Sequence, residues 1–453
     1  MRFFRKKASQ GRTRAVKRAR IFVYILVLLE EKDGLMTRLV MKFGGTSMAD
    51  LERIRRAARL VAAEYDAGHR VAVVVSAMSG KTNELVAWTD GAGKATGRAI
   101  EGDDEYDVVV ASGEQVTAGL LAMTLRNMGY DAISMMGWQV PILTSDVHGK
   151  ARILDIPPAK LETALDAGQI VVVPGFQGVT ESGRITTLGR GGSDTSAVAV
   201  AAAVKAIRCD IYTDVDGVYT TDPRVESKAR RLKKISFEEM LEMASLGAKV
   251  LQTRSVELAM GQRVPVRVLS SFVEPGENID QGTIVCDEDE IVEKHIVSGV
   301  AFSRDEAKIT LLGLPNKVGV SAAVFSKLAA ANINVDMIVQ SEKRSGEYAN
   351  QLFTVGRRDA QAAAEIMEAA KAEIGFDAIK VDENVAKVSI VGVGMRSHTG
   401  VAETMFRALS EKGINIQVIS TSEIKISVLI DEAYTELAVR ALHAAYDLDK
   451  IGQ

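Results

Sequence analysis

The sequence predicts an α/β protein: a three-layer αβα sandwich around a mostly parallel sheet, followed by two small, ferredoxin-like βαββαβ modules. Two observations predict this. From residue 37 to 286, apolar strands alternate with amphipathic helices, which is typical of parallel sheets covered by helices on both faces. Beyond residue 295 that alternation stops and the chain repeats itself. Ligands bind at the carboxyl ends of strands in such sheets, so we expect the functional site there.

The strands of the sandwich are predicted from short apolar runs bounded by Gly, Ser or Asp. Several are apolar at every position, as expected for strands buried on both faces. Helices are predicted between them, for example over 113–128 and 193–205. The predicted strands are Leu39 to Phe43, Val71 to Ser76, Val108 to Ala111, Ala132 to Met136, Ile170 to Pro174 and Cys209 to Thr213.

The C-terminal third contains an internal repeat with an offset of 81 residues. Each copy has the pattern of a strand, a Gly-containing turn, a helix, a short Asn turn, a strand and a hairpin, which predicts one βαββαβ module per copy. We place the modules at 295–375 and 386–450. Matching pairs include Ile309 with Ile390, Gly319 with Gly400, Phe325 with Phe406, Leu328 with Leu409 and Asn334 with Asn415.

The first 36 residues differ from the rest of the chain. They hold ten Lys or Arg, three acidic residues and an apolar run, Ile21 to Leu29, which is too short to span a bilayer and has no small-residue cleavage site after it. We expect a basic extension that is disordered or precedes the true start at Met36; membrane targeting is the alternative. Without these residues the formal charge falls from −3 to −10, which does not favour nucleic acid binding.

The first chemical motif is a glycine-rich corner after the first predicted strand. The strand ends near Lys42, and Gly44-Gly45 then lets the backbone approach a ligand before Thr46 or Ser47, which would cap the next helix. Backbone N–H groups at such a helix start attract phosphate. A tight turn that binds nothing is the alternative. No Walker A pattern is present, and the nearest stretch, 91–95, is interpreted as a solvated loop.

Two further motifs follow later strands. Ser76 ends the second predicted strand and Thr82 follows soon after, so hydroxyl groups are expected at the same edge of the sheet. The third motif, Ser112-Gly113-Glu114, puts a carboxylate just inside a predicted helix start, where Ser112 already suits the cap. A carboxylate at a strand-to-helix junction can hold a substrate ammonium group. Favourable pairing with the helix dipole alone is the alternative.

The densest functional signal is the stretch 187–196, which reads TLGRGGSDTS. Its glycines free backbone N–H groups for an anion, and Ser193 opens a helix. Arg190 offers a planar fork for a carboxylate. A plain turn would leave this arginine unexplained, so the stretch predicts an anion site.

A fifth motif, residues 212–224, combines carboxylates and hydroxyls after a buried strand. Mg²⁺ prefers such oxygen ligands and commonly bridges phosphates. Lys42, Arg190 and Arg224 would supply positive charge for a transferring phosphoryl group, a reaction that needs mainly positioning and charge stabilisation. The two cysteines and five scattered histidines give no zinc spacing and no competing nucleophile, so we expect no metal site built from protein ligands alone.

The motifs KFGGTS, SAMSGKTNEL, SGE, GRGGSDTSA and TDVDGVYTTDPR, followed by two repeats, resemble the aspartate kinases of the amino acid kinase superfamily over about residues 36–450. The resemblance implies an amino acid kinase fold and two ACT domains. It implies that ATP, with Mg²⁺, phosphorylates the β-carboxylate of L-aspartate to 4-phospho-L-aspartate, the first step toward lysine, threonine, methionine and diaminopimelate. It also implies a cytoplasmic homo-oligomer, joined through the ACT domains and inhibited by lysine, threonine or both.

The resemblance also implies roles for individual residues. Lys42 would stabilise charge on the moving phosphoryl group, Glu114 would take the substrate ammonium, and Arg190 the α-carboxylate. Asp194 would orient this set. Further residues near the aspartate or the phosphates would be Gly44, Gly45, Ser76, Thr82 and Ser193. The nucleotide and its Mg²⁺ would be held by Thr213, Asp214, Tyr219, Arg224 and Lys249.

The effector site is expected in the repeats. In the first copy the family commonly has a proline before the glycine of its ligand loop, whereas this chain has Val318-Gly319, so we expect a less rigid loop. The asparagines at the strand starts would equally serve as turn formers. The effector-site candidates are Val320, Asn334, Asp336, Gln340, Asn415 and Ile416.

Two alternatives are weighed against this interpretation. Another amino acid kinase, acting on glutamate or N-acetylglutamate, would share the glycine corner but would not be expected to carry GRGGSDTSA together with two ACT repeats. A pure amino-acid sensor with a degenerate kinase fold is disfavoured, because the residues that would do the chemistry are intact: Lys42, Glu114, Arg190 and Asp194.

Overall fold

The structure is a computed structural model. The expected basic extension, residues 1–36, lies outside the residues that it describes. So does Lys249 of the expected nucleotide site. The described residues are 37–94, 103–247, 250–276, 282–291, 295–342 and 346–451.

The N-terminal part contains two sheets and seven described helices. Its strands are β1 (Arg38–Phe43), β2 (Arg70–Val75), β3 (Ala132–Ser134), β4 (Leu143–Thr144), β5 (Ile153–Asp155), β6 (Ile170–Pro174), β7 (Gln177–Val179), β8 (Ile185–Thr187), β9 (Cys209–Thr213), β10 (Lys234–Ser236), β11 (Val266–Ser270) and β12 (Thr283–Cys286). Its helices are α1 (Leu51–Asp66), α2 (Lys81–Lys94), α3 (Asp104–Asn127), α4 (Ala159–Asp166), α5 (Gly192–Ala203), α6 (Phe237–Ser245) and α7 (Thr253–Gln262).

The larger sheet has eight strands in the order β10-β12-β11-β9-β1-β2-β6-β3, and the smaller has the order β5-β4-β7-β8. In the larger sheet every neighbouring pair is parallel except β11 with β12. The central strand β1 lies between β2 and β9, which come from distant parts of the chain. A crevice at the carboxyl ends of these strands is therefore the expected place for a ligand.

Helices cover both faces of this sheet, as the side chains of β1 illustrate. Successive residues of a strand point to opposite faces. Leu39, Met41 and Phe43 belong to one apolar cluster with residues of α1 and α3, whereas Val40 belongs to another with residues of α4 and α5. The predicted αβα sandwich with a mostly parallel sheet is confirmed. Because Lys42 alternates in step with Val40, its side chain lies on the α5 face.

One predicted strand is wrong. Residues 108–111 belong to α3, which begins after Asp103, whose side chain accepts a hydrogen bond from the backbone N–H of Glu105. The run of three valines favours a strand by propensity, but local packing overrides that preference. Glu114 therefore lies within a helix and not at its start, and Ser112 donates to the carbonyl of Val109 instead of capping.

Two local expectations also change. The helix after the glycine corner is capped by Asp50, which accepts from the backbone N–H of Arg53 at 2.8 Å, so neither Thr46 nor Ser47 caps it. The stretch that starts at residue 91 is not a solvated loop, because α2 continues to Lys94. The residue directly before the first helical turn is the one whose side chain can cap it, and that residue is Asp50, not Thr46 or Ser47.

The helix α3 is also the one described helix that is long and apolar enough to cross a membrane by length and composition. It packs on β3, β6 and α1 and contributes Leu121 and Leu125 to the core. Two of its acidic side chains, Asp107 and Glu114, are buried within the fold. Its composition is therefore that of a core helix.

The C-terminal part contains a six-stranded sheet. Its strands are β13 (Gly299–Pro315), β14 (Val335–Glu342), β15 (Tyr348–Val355), β16 (Ala378–Val391), β17 (Val418–Thr421) and β18 (Lys425–Asp431). Their order in the sheet is β14-β15-β13-β16-β18-β17. Its helices are α8 (Val320–Ala330), α9 (Ala360–Ala369), α10 (Lys371–Ile374), α11 (Val401–Glu411) and α12 (Thr435–Ala445).

The predicted repeat is visible in the structure. Gly319 and Gly400, which match at the repeat offset, immediately precede α8 and α11 and have left-handed φ angles of 92° and 87°. Leu328 and Leu409 are buried at equivalent positions of these helices. Both copies therefore form the expected ferredoxin-like architecture.

The expected ranges 295–375 and 386–450 imply two modules that follow one another along the chain. In the structure the two modules instead share the long strands β13 and β16. Their pairing from Lys308 with Asp382 to Leu312 with Ala378 belongs to the first module, and the pairing of 299–303 with 387–391 belongs to the second. The last strand of the second module thus comes from residues that precede the first module, because the start of β13 fills the sheet position beside β16.

Candidate active site

The motifs meet at the carboxyl ends of the adjacent strands β9, β1, β2 and β6. Backbone hydrogen bonds join these ends: Gly44 N–H donates to the carbonyl of Tyr212 at 3.2 Å, and Ser76 N–H to that of Phe43 at 3.0 Å. Gly45 passes so near the next strand that a Cβ would lie 3.2 Å from the carbonyl oxygen of Ala77. The glycine corner is therefore in close contact with both neighbouring strand ends.

Lys42 forms a buried ion pair at this edge. Its Nζ lies 2.5 Å from Oδ1 of Asp194, and the two side chains are 10% and 11% exposed. Asp194 is in the first turn of α5, where the helix dipole favours a negative charge. A Cβ on Gly44 would approach Lys42 Nζ to 3.4 Å, so the glycine leaves the ammonium accessible from the corner.

Glu114 is a buried carboxylate facing the end of β2. Its Oε1 accepts a hydrogen bond from the backbone N–H of Ala77 at 3.1 Å, whereas its Oε2 has no hydrogen-bond partner among the described residues. Burial raises the pKa of Glu114 to about 7. Buried polar atoms are usually paired, and this oxygen is one that the described part of the fold leaves without a hydrogen bond.

The loop that carries Arg190 is held in a defined conformation. Gly189 and Gly191 have φ angles of 75° and 74°, and a Cβ on Gly191 would overlap the side chain of Gln252. Arg254 donates to the carbonyl oxygen of Leu188 at 2.8 Å and to that of Ala151 at 2.9 Å. Arg190 itself is exposed and makes no ion pair with any described residue.

The neighbouring expected substrate residues take different positions. Ser193 is buried at the start of α5, and Gly175 at the end of β6 leaves room for it, since a Cβ there would lie 2.8 Å from that of Ser193. Ser76 is half-buried directly after β2, and Thr82 is half-buried in the first turn of α2. Ser76 thus lies at the end of β2, and Ser193 lies beside the end of the adjacent strand β6.

The residues expected to hold the nucleotide follow β9. Thr213 donates to Asp214 at 3.2 Å, and the Tyr219 hydroxyl donates to Asp216 at 3.0 Å. Arg224 points into solvent, 89% exposed, and forms an ion pair with Asp222 at 2.7 Å. The structure therefore brings Thr213 to the strand edge but leaves Arg224 engaged within its own loop.

Residues 37–270 match the Amino acid kinase family, and residues 308–374 and 388–446 each match the ACT domain. An aspartate kinase of Pseudomonas fluorescens (strain SBW25) is 55% identical over 91% of this chain and 98% of its own length. Aspartokinase 2 of Bacillus subtilis (strain 168) is 45% identical over 92% of this chain and 99% of its own. This chain belongs to the aspartate kinase family.

Solved aspartate kinases share its architecture. Aspartokinase III of E. coli in complex with aspartate and ADP, in its R-state, has a TM-score of 0.72 and 30% identity, covering 90% of this chain and 99% of that chain. The same enzyme in complex with lysine and aspartate, in its T-state, has a TM-score of 0.71 and 30% identity, covering 90% and 98%. The aspartate kinase fold therefore extends over both the sandwich and the ACT domains.

The effector-site candidates of this aspartate kinase lie on adjoining elements. Val320 begins α8, and the neighbouring Ser321 donates to Gln340 of β14 at 3.4 Å. Asp336 on the same strand accepts from Lys387 at 2.7 Å. Asn334, Asn415 and Ile416 lie just before β14 and β17, and these two strands contact each other, with Met337 and Val418 in one small apolar cluster. Strand β14 of the first ACT copy thus contacts β17 of the second, and candidates from both copies lie on or directly before these two strands.

The second ACT domain contacts the sandwich directly. Glu239, which caps α6 together with Ser236, also accepts from Ser298 Oγ at 2.7 Å and from Val393 N–H at 2.9 Å. Nε2 of His443 lies 2.9 Å from Oγ1 of Thr220, inside the motif TDVDGVYTTDPR. These buried contacts connect the second module with the expected nucleotide loop of this aspartate kinase.

Several residues that shape the site were not found by sequence reasoning. Arg254 and Gln252 support the Arg190 loop from a helix start that carries no motif. Asp107 accepts hydrogen bonds from His148, Gly149 and Thr187. Thr187 stood in a recognised motif, but its partners are distant in sequence, so no local pattern marked them.

Proposed function

We infer that this aspartate kinase transfers the γ-phosphoryl group of ATP to the β-carboxylate of L-aspartate, giving 4-phospho-L-aspartate, the first step toward lysine, threonine, methionine and diaminopimelate. The observation that carries this inference is the Lys42–Asp194 pair at the glycine corner, with the buried carboxylate of Glu114 at the neighbouring strand end. The acceptor carboxylate is ionised at neutral pH, so the reaction needs no general base. Positioning and positive charge suffice.

L-Aspartate would be held by its α-amino and α-carboxylate groups. Glu114 takes the ammonium through its oxygen that lacks a described partner, and Arg190 takes the α-carboxylate through its exposed guanidinium. Ser76, Thr82 and Ser193 line the space near the β-carboxylate and the phosphates. The catalytic residues in this proposal are Lys42, Arg190 and Asp194.

ATP would bind across the glycine corner and the loop after β9. Gly44 and Gly45 approach the phosphates, and Lys42 stabilises the charge on the moving phosphoryl group. The remaining nucleotide contacts come from Thr213, Asp214, Tyr219, Arg224 and Lys249.

Mg²⁺ would enter with the nucleotide. Asp214 and Asp216 offer carboxylate oxygens just after β9, and the described residues contain no cluster of three acidic, histidine or cysteine side chains able to hold a metal alone. This donor set fits Mg²⁺, which usually takes one or two carboxylates and completes its shell with phosphate oxygens and water. When bound, it neutralises charge on the phosphates.

Feedback inhibition would act through the ACT domains, with lysine, threonine or both as effectors. Aspartokinase III of E. coli has been solved with lysine, which supports an amino-acid effector in this family. We also propose a homo-oligomer joined through the ACT domains, because the edge strands β14 and β17 expose the apolar side chains of Ile338 and Ile419. We also propose that the reaction takes place in the cytoplasm.

A hydroxamate assay tests the activity. The full chain is incubated with ATP, MgCl₂, hydroxylamine and either L-aspartate, L-glutamate or N-acetyl-L-glutamate. Hydroxylamine traps an acyl phosphate as a hydroxamate, which is then detected as its coloured complex with Fe³⁺. We expect hydroxamate with L-aspartate and none when Mg²⁺ is chelated. Turnover of another acceptor without any from L-aspartate would reject the proposed function.

A further inference from the structure

The carboxylate of Asp107 is fully buried in α3 and accepts hydrogen bonds from the loop after β4 and from the end of β8. Nδ1 of His148 lies 2.8 Å from its Oδ2, and the backbone N–H of Gly149 donates to its Oδ1 at 3.0 Å. The hydroxyl of Thr187 donates to the same Oδ1 at 2.5 Å. A buried carboxylate with this many donors strongly restrains the segments that carry them, because losing any one hydrogen bond leaves charge or polar atoms uncompensated.

These partners lead directly to the loop that carries Arg190. Thr187 ends β8, and Gly189 and Arg190 follow it in the chain. The loop of Gly149 packs on the same segment, since a Cβ on Gly189 would lie 3.1 Å from the carbonyl oxygen of Gly149. The carboxylate of Asp107 therefore holds two segments next to the Arg190 loop: the end of β8, through Thr187, and the loop of Gly149, which packs on Gly189.

Asp107 also shares a helix with Glu114. The two residues are seven positions apart, which is about two turns, so they lie on the same side of α3. Both are buried in the fold. A rigid helix thus connects the group proposed to hold the substrate ammonium with the anchor of the loop proposed to hold the α-carboxylate.

We propose that Asp107, together with His148, is a positioning residue that holds the Arg190 loop at the distance from Glu114 that L-aspartate requires. This inference rests on the proposed function. Displacing one contact by about 1 Å can cost on the order of 100-fold in rate when both ends of a substrate must be held at once. Asp107 touches neither substrate nor nucleotide in this arrangement, so its loss acts through Arg190.

The role makes a selective prediction. β-Alanine is L-aspartate without its α-carboxylate, so it reaches Glu114 but not Arg190. Loss of the Asp107 carboxylate should weaken the binding of L-aspartate and leave the binding of β-alanine and ATP nearly unaffected. If Asp107 had a purely structural role, its loss would instead lower the stability of the fold or weaken the binding of all three ligands together.

The experiment compares Asp107→Asn, His148→Ala and Thr187→Val with the wild-type chain. Asp104→Asn is the matched control, because Asp104 lies in the same helix but pairs with Arg184 in a partly exposed ion pair. The measurements are kcat, KM for L-aspartate, KM for ATP, and the inhibition constant of β-alanine against L-aspartate. Thermal unfolding is followed in parallel, and Thr187→Val, which keeps the side-chain shape, carries the test if Asp107→Asn does not fold.

We expect a rise of about tenfold or more in KM for L-aspartate for Asp107→Asn and a smaller rise for Thr187→Val, with the ATP and β-alanine constants within about twofold of wild type. Equal changes in all constants, or lower stability with unchanged kinetics, would overturn the positioning role. Absence of any β-aspartyl hydroxamate from the wild-type chain would instead reject the proposed function. The two failures are thus distinguishable.

Discussion

Lys42 Nζ and Asp194 Oδ1 lie 2.5 Å apart because the alternation of β1 turns the lysine toward the start of α5. The neighbouring Val40 packs on the same face, with residues of α4 and α5 around it. The position of the Lys42 ammonium is therefore determined by the face of the sheet to which this residue of β1 points. Asp194, in the first turn of α5, orients the ammonium through the ion pair.

Substituting Lys42→Ala should reduce kcat by about 100- to 1000-fold and change the KM for L-aspartate little, because its charge matches the transition state better than the ground state. Steady-state kinetics with L-aspartate as the varied substrate measure this. Lys160→Ala, on the exposed side of α4, is the control and should behave as wild type. A loss confined to substrate binding, with kcat retained, would contradict the proposed role.

The pKa of Glu114, raised to about 7 by burial, predicts how aspartate binding depends on pH. In the proposed arrangement the substrate ammonium pairs with the ionised carboxylate, so KM for L-aspartate should rise about tenfold for each pH unit below about 7. The profile is measured between pH 5.5 and 8.5, values chosen to span about one pKa unit or more on each side. In Glu114→Gln the affinity should be low at every pH, and a profile identical to that of wild type would exclude Glu114 as the ammonium partner.

The same group makes a prediction about stability without substrate. Its folded pKa of about 7 lies above the ordinary value of 4.5, so between these values the folded chain binds more protons than the unfolded chain. The free energy of unfolding should therefore fall as pH rises through this window, by about 3 kcal/mol from this group. Denaturant titrations at about pH 5 and about pH 8 measure most of this fall, because the folded chain is still largely protonated at this group at the lower pH and both states are ionised at the higher. Glu114→Gln should flatten it.

Local patterns were sufficient to predict most of the central sheet. The apolar run Leu39 to Phe43 forms β1, and the matched Gly319 and Gly400 immediately precede equivalent helices, as the repeat implied. Residues 108–111 were misassigned because three β-branched valines favour a strand on their own, and only packing in the folded chain makes them helical.

Features that depend on distant partners were not predictable from the sequence. The bonds of Asp107 to His148 and Thr187 join residues 41 and 80 positions apart. The same is true of residues 299–303, whose partners in β16 lie beyond the whole first module. Periodicity and turn signals describe neighbours along the chain, and neither reports on a pairing of this kind.

The Arg190 loop should not tolerate a side chain at Gly191. Its φ angle is 74° and a Cβ would overlap Gln252, so Gly191→Ala should lower thermal stability and raise KM for L-aspartate. Gly91→Ala is the control. Gly91 lies within α2 and a Cβ there would meet no described atom within 4 Å beyond the backbone of its own helix, so this change should be neutral or stabilising by up to about 1 kcal/mol. Equal behaviour of the two variants in melting and kinetics would show that the loop is not so constrained.

The buried ion cluster of the ACT sheet should contribute strongly to stability. Lys387 lies 2.6 Å from Glu306 and 2.7 Å from Asp336. Lys387→Met leaves the buried Glu306 carboxylate without its cation, which should cost about 3–5 kcal/mol in unfolding free energy. The double variant with Glu306→Gln should recover much of the loss. Denaturant unfolding compares the three chains, and a double variant as unstable as the single one would argue against charge burial as the cause.

Substitution of Asp336 should change how strongly the proposed feedback effectors inhibit the enzyme. Its side chain is partly exposed on β14, near the candidates of the second ACT copy, and Lys387 holds one of its oxygens. We expect Asp336→Asn and Asn415→Ala to leave activity without effector unchanged and to raise the lysine or threonine concentration needed for half-inhibition, because each would remove a polar group proposed to contact the effector. The matched control is Glu373→Gln, because Glu373 forms a surface ion pair with Lys327 in the same ACT copy.

Inhibition curves for each amino acid, alone and combined, measure the shift in the concentration needed for half-inhibition. Wild-type activity that is indifferent to both amino acids would remove the feedback proposal, and unchanged curves in both variants would place the effector elsewhere in the ACT domains.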